Sequence, residues 1–202
     1  MLARPRSFAM VADAALARIA ASAYTEAPDW AVGDVHAIAR THGGVPVIAC
    51  RGTTADPRDW LRDLAIRPLF DRQLGCCHAG FLEGARALWS AMAGLDGTGV
   101  VLTGHSMGGA LALLLGGLAV AAGMAPRAVV TFGAPRAGSW RLRRRLAKTP
   151  LRLYRNGDDP VPDVPFLPGL YLHPRALIAI GAPALDPFAD HPVAAYEREL
   201  SA

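Results

Sequence analysis

Short unbroken apolar runs alternate along this chain with longer stretches in which apolar positions return every three or four residues. Residues 11–24 show the second pattern, with Asp13, Arg18 and Thr25 off the apolar face, and predict a helix ended before Pro28. Two strands follow, over 34–40 and 45–51, and the spacer His42-Gly43-Gly44 reads as a hairpin turn, since glycine supplies the positive φ of a short loop. Residues 56–66 set Trp60, Leu61 and Leu64 among Arg58, Asp59 and Arg62, which predicts a short amphipathic helix. A third helix is expected over 82–93. The runs at 100–103, 128–132 and 151–155 predict buried strands, with helices over 107–125 and 140–148 between them. A last strand element is expected within 171–180 and a terminal helix from 190. Strands alternating with helices indicate an α/β fold, a mostly parallel central sheet flanked by helices, in one domain spanning 1–202.

Composition changes this picture little. Apolar residues make up 52% of the chain and mean hydropathy is +0.24, which excludes a disordered polymer. Residues 107–125 carry no charge and are long enough to span a bilayer. Five glycines (108, 109, 116, 117 and 123) and the tight turn just before them favour a helix buried on all sides instead, so no transmembrane segment is expected. The net charge of +4 is mild, and its arginines lack aromatic interleaving, so no nucleic-acid partner is expected. The stretch 140–148 concentrates Arg141, Arg143, Arg144, Arg145 and Lys148, with Trp140, Leu142 and Leu146 as its apolar contacts. A solvated face is the default for such a run, and peripheral contact with anionic lipid is the alternative. Cys50, Cys76 and Cys77 are odd in number and partly adjacent, which fits no disulfide framework. Asp13 and Arg18 interrupt the N-terminal apolar stretch, so no secretory leader is expected and a cytoplasmic location is the default reading.

The chemistry concentrates where the run 100–103 meets the next helix, at Gly104-His105-Ser106-Met107-Gly108. Glycines on both sides let strand and helix crowd together, which drives Ser106 to the tip of a strained turn with its hydroxyl exposed. The helix N-terminus and the Met107 amide would face a developing negative charge. Thr53, in the Gly-Thr turn after the second strand, is the candidate second donor through its N–H or its hydroxyl, and Asp63 is placed to orient that hydroxyl. A nucleophilic serine needs a base, and in this arrangement base and acid follow it in the chain. His173 and His191 are the candidates. His191, in a loop, is favoured over His173, in an expected strand, while His105 points away from the serine. For the acid, Asp158 and Asp159 both follow a strand end, with Asp186 and Asp190 as weaker rivals.

At this point the chain resembles the class 3 lipases, the fungal triacylglycerol lipase type within the α/β-hydrolase fold. Cys50-Arg-Gly-Thr53, Trp60 with Asp63, His78-Ala-Gly-Phe81, Gly104-His-Ser-Met-Gly-Gly-Ala-Leu-Ala112, Thr131-Phe-Gly-Ala-Pro-Arg-Ala-Gly138, Asp159-Pro-Val-Pro162 and Asp190-His191 match that family's motifs in order. The resemblance implies Ser106 as nucleophile, Asp159 as acid and His191 as base, with oxyanion donors at Thr53 and Met107 and support from Asp63. It also implies a lid over part of 55–66 and structural roles for His78 and His173. His173-Pro-Arg-Ala departs from the family's H-x-G-x-E strand, and the stretch between Asp159 and His191 is compact. The expected activity is hydrolysis of lipid acyl esters through an acyl-enzyme, without metal or cofactor. Trp60, Leu61, Phe166, Leu167, Leu170 and Ile178 are the candidate acyl-chain contacts. A phospholipase A or small-ester esterase on the same triad, and a silent lipase-like binding protein, are the rival readings.

Overall fold

The computed structural model describes residues 11–54, 58 and 67–202, so Trp60, Leu61, Asp63 and nearly all of the expected 56–66 helix lie outside the described residues. Strands β1 (Trp30–Val32), β2 (Val35–His42) and β3 (Val45–Cys50) form an antiparallel meander. The β2–β3 turn is Gly43-Gly44, at φ +56° and +76°, a left-handed pair that a side chain would strain. A hairpin of β4 (Pro68–Asp71) and β5 (Gly75–His78) lies apart from the main sheet. Strands β6 (Val101–His105), β7 (Ala128–Phe132), β8 (Leu151–Asn156) and β9 (Ile178–Ile180) then add to β3 one after another, all parallel. The sheet order is β1-β2-β3-β6-β7-β8-β9.

Alternation along these strands explains why the sequence runs are mostly apolar. Val47, Val101, Val130 and Phe132 enter one layer, with α1 (Asp13–Ser22) and α5 (Val193–Ser201). Ile48, Leu102 and Val129 enter the other, with α2 (Ala79–Ala91) and α3 (Met107–Ala121). Both faces are covered, so neither set is polar. Helix α3 is buried on almost every side, between the sheet, α2 and α4 (Trp140–Arg145). No helix among the described residues is long and apolar enough to cross a membrane. Asp13, at the first turn of α1, pairs with Arg152 and accepts from the Tyr154 hydroxyl, which fastens that helix to β8.

The expected layered α/β architecture is the observed one, and its departures are local. β1 and the β4–β5 hairpin are additional strands, too short for a two-residue alternation to stand out. The 171–180 stretch yields only β9, and α5 begins after His191, behind a short 3₁₀ turn at Pro187–Asp190. Helix α4 is shorter than expected, and its anchors are Leu142 and Leu146. Trp140 does not pack inward but is 55% exposed.

Candidate active site

The carboxyl ends of β3, β6, β7 and β8 converge at one edge of the sheet, where functional groups on parallel strands collect. β6 ends at His105, and Ser106 forms the corner before α3. Its backbone lies at φ +55° and ψ −131°, the only positive φ at a non-glycine residue among those described. Such a conformation costs on the order of 1–3 kcal/mol and needs surroundings that enforce it. Here the Ser106 N–H donates to the Phe132 carbonyl at 2.9 Å, and the Ser106 carbonyl accepts from the Gly109 N–H at 2.9 Å. Close approach requires the flanking glycines. A Cβ on Gly104 would overlap the Gly108 carbonyl group, and one on Gly108 would overlap the Cys50 carbonyl oxygen. The second contact seats the end of β3, and so Thr53, directly beside the elbow.

Ser106, His191 and Asp159 form a continuous hydrogen-bonded line. The Ser106 Oγ lies 3.0 Å from His191 Nε2, and His191 Nδ1 lies 2.8 Å from Asp159 Oδ2. Asp159 is fully buried at the turn after β8, where its Oδ1 accepts from the Val161 N–H at 2.9 Å. Asp158 next to it is exposed, so the choice between the two adjacent carboxylates falls on Asp159. His173 is elsewhere, with its Nε2 2.8 Å from the Pro162 carbonyl. His78 packs its ring against Phe81 and Tyr171. A cavity of about 240 Å³ opens on Ser106 and His191, walled by Tyr24, Thr53, Pro192 and Val193. Met107 is the first residue of α3, where a backbone N–H has no partner within the helix and points along the positive end of its dipole.

Four further residues hold this line, and the sequence reading passed over them or left them with a lesser role. The Tyr196 hydroxyl donates to Asp159 Oδ2 at 2.6 Å and accepts from the Asn156 N–H at 3.1 Å. Burial, then the adjacent carboxylate, push its pKa well above the ordinary tyrosine value, so it stays a donor. His105 bridges in the other direction. Its Nε2 lies 2.7 Å from the His191 carbonyl and its Nδ1 2.8 Å from the Tyr24 hydroxyl. A carbonyl only accepts, so His105 carries its proton on Nε2 and Tyr24 donates to Nδ1. Burial, reinforced by His191 nearby, pulls the His105 pKa well below the usual histidine range and keeps the ring neutral. Tyr24 also faces the backbone N–H of Gly52, and burial raises its own pKa. The loop carrying Thr53 is thereby linked through Tyr24 and His105 to the loop carrying His191. Asp190, matched to the motif only by position, is buried, and its Oδ2 accepts from the Asp158 and Ala184 N–H groups at 3.0 and 3.1 Å. It clamps the His191 loop to the turn of Asp159 and is not an alternative acid. The five-residue spacing from His191 to Tyr196 was the available signal, since it starts a helix that must return over the acid.

Other expectations need correction. Ser106 is at the tip of its turn but only 3% exposed, because His191 and the cavity wall cover it. Phe166, Leu167, Leu170 and Ile178 do not line the serine cavity. Phe166 lies outside under the Arg136 guanidinium, 5.7 Å away, and Ile178 sits on the edge strand β9. Their apolar character reported proximity along the chain, not direction. A larger apolar cavity of about 430 Å³ lies toward the start of β6, around Trp89, Val100 and Leu102, and shares no residue with the serine site. Cys50, Cys76 and Cys77 are free thiols, and burial pushes Cys50 up to about 12. No three His, Cys, Asp or Glu side chains cluster to hold a metal among the described residues.

None of the curated proteins compared by sequence matches the chain. Among solved structures, the Rhizomucor miehei lipase in its propeptide complex is similar at 24% identity and TM-score 0.61, over 75% of this chain and 54% of that one. A nonglycosylated Yarrowia lipolytica lipase is similar at 20% identity and TM-score 0.63, over 84% and 78% of the two chains. A triacylglycerol lipase whose catalytic centre is formed by a serine protease triad is similar at 25% identity and TM-score 0.59, over 75% and 63%. The chain thus spans about half the length of the Rhizomucor protein, and these likenesses establish the α/β-hydrolase-type fold. The lipase (class 3) family profile matches residues 47–168, more than half of the sequence, and takes in the elbow serine and the buried aspartate. On that match the chain belongs to the lipase (class 3) family.

Proposed function

We propose that this chain is a serine carboxylic-ester hydrolase acting on acyl esters of lipids. The observation that carries the reading is the buried line Ser106–His191–Asp159 on a strained elbow at the N-terminus of α3. His191 Nε2 accepts the Ser106 proton while Ser106 Oγ attacks the ester carbonyl carbon. The imidazolium that forms is flanked by Asp159, which Val161 and Tyr196 hold in place. The carbonyl oxygen, now negative, takes hydrogen bonds from the Met107 amide and from Thr53, each such donor contributing on the order of 10²–10³ in turnover. His191 then returns its proton to the departing alcohol, and an acyl-enzyme remains. Water enters with His191 again as base, and the fatty acid leaves. The apolar rim of Tyr24, Pro192 and Val193 supports an acyl chain beside the serine.

Initial rates on p-nitrophenyl esters of increasing acyl length test this reading. Wild-type protein is expected to turn them over, and Ser106→Ala to lose at least three orders of magnitude while keeping its fold by circular dichroism. An unchanged rate in Ser106→Ala would end the proposal. The chain-length optimum separates a lipase from a small-ester esterase, and release of fatty acid from phospholipid separates both from a phospholipase.

A further inference from the structure

A second surface is built for contact, and it shares no residue with the serine cavity. Helix α4 and the β4–β5 turn enclose a groove of about 410 Å³ walled by Arg72, Arg141, Arg144 and Arg145, with Trp140 at its edge. Residues 140–150 hold five cations and no carboxylate. Among the described residues no ion pair reaches these four arginines, whereas Arg40, Arg86, Arg136 and Arg152 each face an aspartate. Arg145 is braced by the Gln73 carbonyl at 3.1 Å, which fixes a guanidinium without spending its charge.

The groove is bordered by apolar side chains that a merely solvated cationic face would not display. Phe70 is 67% exposed and Trp140 55%. The Arg141 guanidinium lies 5.7 Å from the Phe70 ring centre and 6.0 Å from that of Trp140, so cations and rings form one patch. Arginines beside exposed aromatic groups suit the boundary between phospholipid headgroups and acyl chains, where rings with wet edges settle and cations find phosphate. A nucleic acid offers the same phosphates, but a bilayer interface also takes up two bulky rings set side by side with the cations.

We propose that this face docks the protein on bilayers rich in anionic phospholipid, with Arg72, Arg141, Arg144 and Arg145 on the phosphates and Phe70 and Trp140 in the interfacial layer. The proposal rests on the surface alone and does not depend on the hydrolase reading. Each surface cation is worth roughly fivefold in partitioning to an anionic membrane. Removing three therefore predicts a loss of about two orders of magnitude.

Sedimentation with phosphatidylcholine vesicles, with and without about 30 mol% phosphatidylglycerol, tests it in a Ser106→Ala background that leaves the lipid intact. The protein is expected to bind the anionic vesicles at least tenfold more tightly than neutral ones, and less tightly as salt rises. Arg141→Gln/Arg144→Gln/Arg145→Gln should lose about a hundredfold. Phe70→Ala/Trp140→Ala should lose about tenfold with the salt dependence kept. In the otherwise wild-type protein the arginine variant should leave the melting temperature and turnover of a soluble short-chain ester unchanged, which shows that the fold survives. Equal binding to neutral and anionic vesicles would overturn the proposal. So would undiminished binding by the arginine variant, or tighter arginine-dependent binding to a nucleic acid duplex than to the anionic vesicles.

Discussion

Replacing Tyr196 with phenylalanine removes one oxygen atom from behind the acid of the triad and leaves the ring that packs on Phe132 in place. That oxygen donates to Asp159 Oδ2 at 2.6 Å and accepts from the Asn156 N–H at 3.1 Å. A hydrogen bond to a charged acceptor contributes about 1.5–3 kcal/mol, and a stranded buried N–H costs about 1–3 kcal/mol. The two overlap, because Asn156 can shift once the hydroxyl is gone, so the expected loss of stability is about 2–4 kcal/mol. Asp159 keeps its bonds from Val161 and His191, so the triad loosens but does not collapse. Turnover should fall about tenfold to a hundredfold, equivalent to roughly 1.4–2.7 kcal/mol in the barrier. KM should stay within about twofold, since Tyr196 does not line the cavity. Urea denaturation and steady-state kinetics on a soluble ester, both below the variant's melting temperature, read the two effects separately. Wild-type kcat in a destabilised but folded Tyr196→Phe protein would refute the positioning role, and so would a defect confined to KM.

Three further predictions bear on the surrounding frame. Gly108→Ala places a methyl against the Cys50 carbonyl and should cost about 3 kcal/mol or more. Any folded fraction should have low kcat because the Thr53 loop is displaced, and a stable, fully active variant would contradict the close approach. His105 should appear by ¹⁵N NMR as a neutral Nε2–H tautomer that does not titrate between pH 8 and 6, because its folded pKa lies well below the ordinary value near 6.5. Protonation of His105 near pH 6.5 would remove the basis for its link to Tyr24. Asp71 is buried, which by itself raises its pKa, yet the Leu74 and Gln73 amides and Arg86 bring it below the usual carboxylate value. Its stabilising effect is therefore present above about pH 4 and lost as pH falls through the folded pKa. Asp71→Asn should unfold at lower urea than wild type near neutrality, with the gap closing in acid, and a gap independent of pH would exclude this role.

The strands and the elbow were legible because their physics is local. Residues 100–103 and 128–132 are apolar at all positions but Thr103 and Thr131 since both faces of the sheet are covered, and the serine turn needs small residues within two positions of Ser106. Chain order then reduced the base to two histidines, and position at a strand end favoured Asp158 and Asp159 over Asp186 and Asp190 as the acid. Deciding between Asp158 and Asp159 from the residues alone was not possible, because they are identical in type and differ only in which side of one turn they face. The Tyr196, Tyr24 and His105 contacts join residues 37, 81 and 86 positions apart, and no periodicity encodes them. Phe166 and Ile178, expected as acyl contacts, lie off the serine cavity for a related reason. An apolar residue in a loop or on an edge strand carries no signal for which way it points. Trp140 is expected with Leu142 and Leu146 among the apolar contacts of its helix, and only the packing of the two leucines shows that the helix turns the ring outward.

The account's central claim is that Ser106 is a nucleophile made reactive by His191. Labelling with a fluorophosphonate, followed by peptide mass spectrometry, tests that claim directly, because the reagent modifies a serine only where a base and an oxyanion site already surround it. A single adduct on the peptide containing Ser106 is predicted, absent in Ser106→Ala and lost or slowed at least a hundredfold in His191→Ala. An adduct on another residue, or labelling of Ser106 at the wild-type rate in His191→Ala, would contradict it.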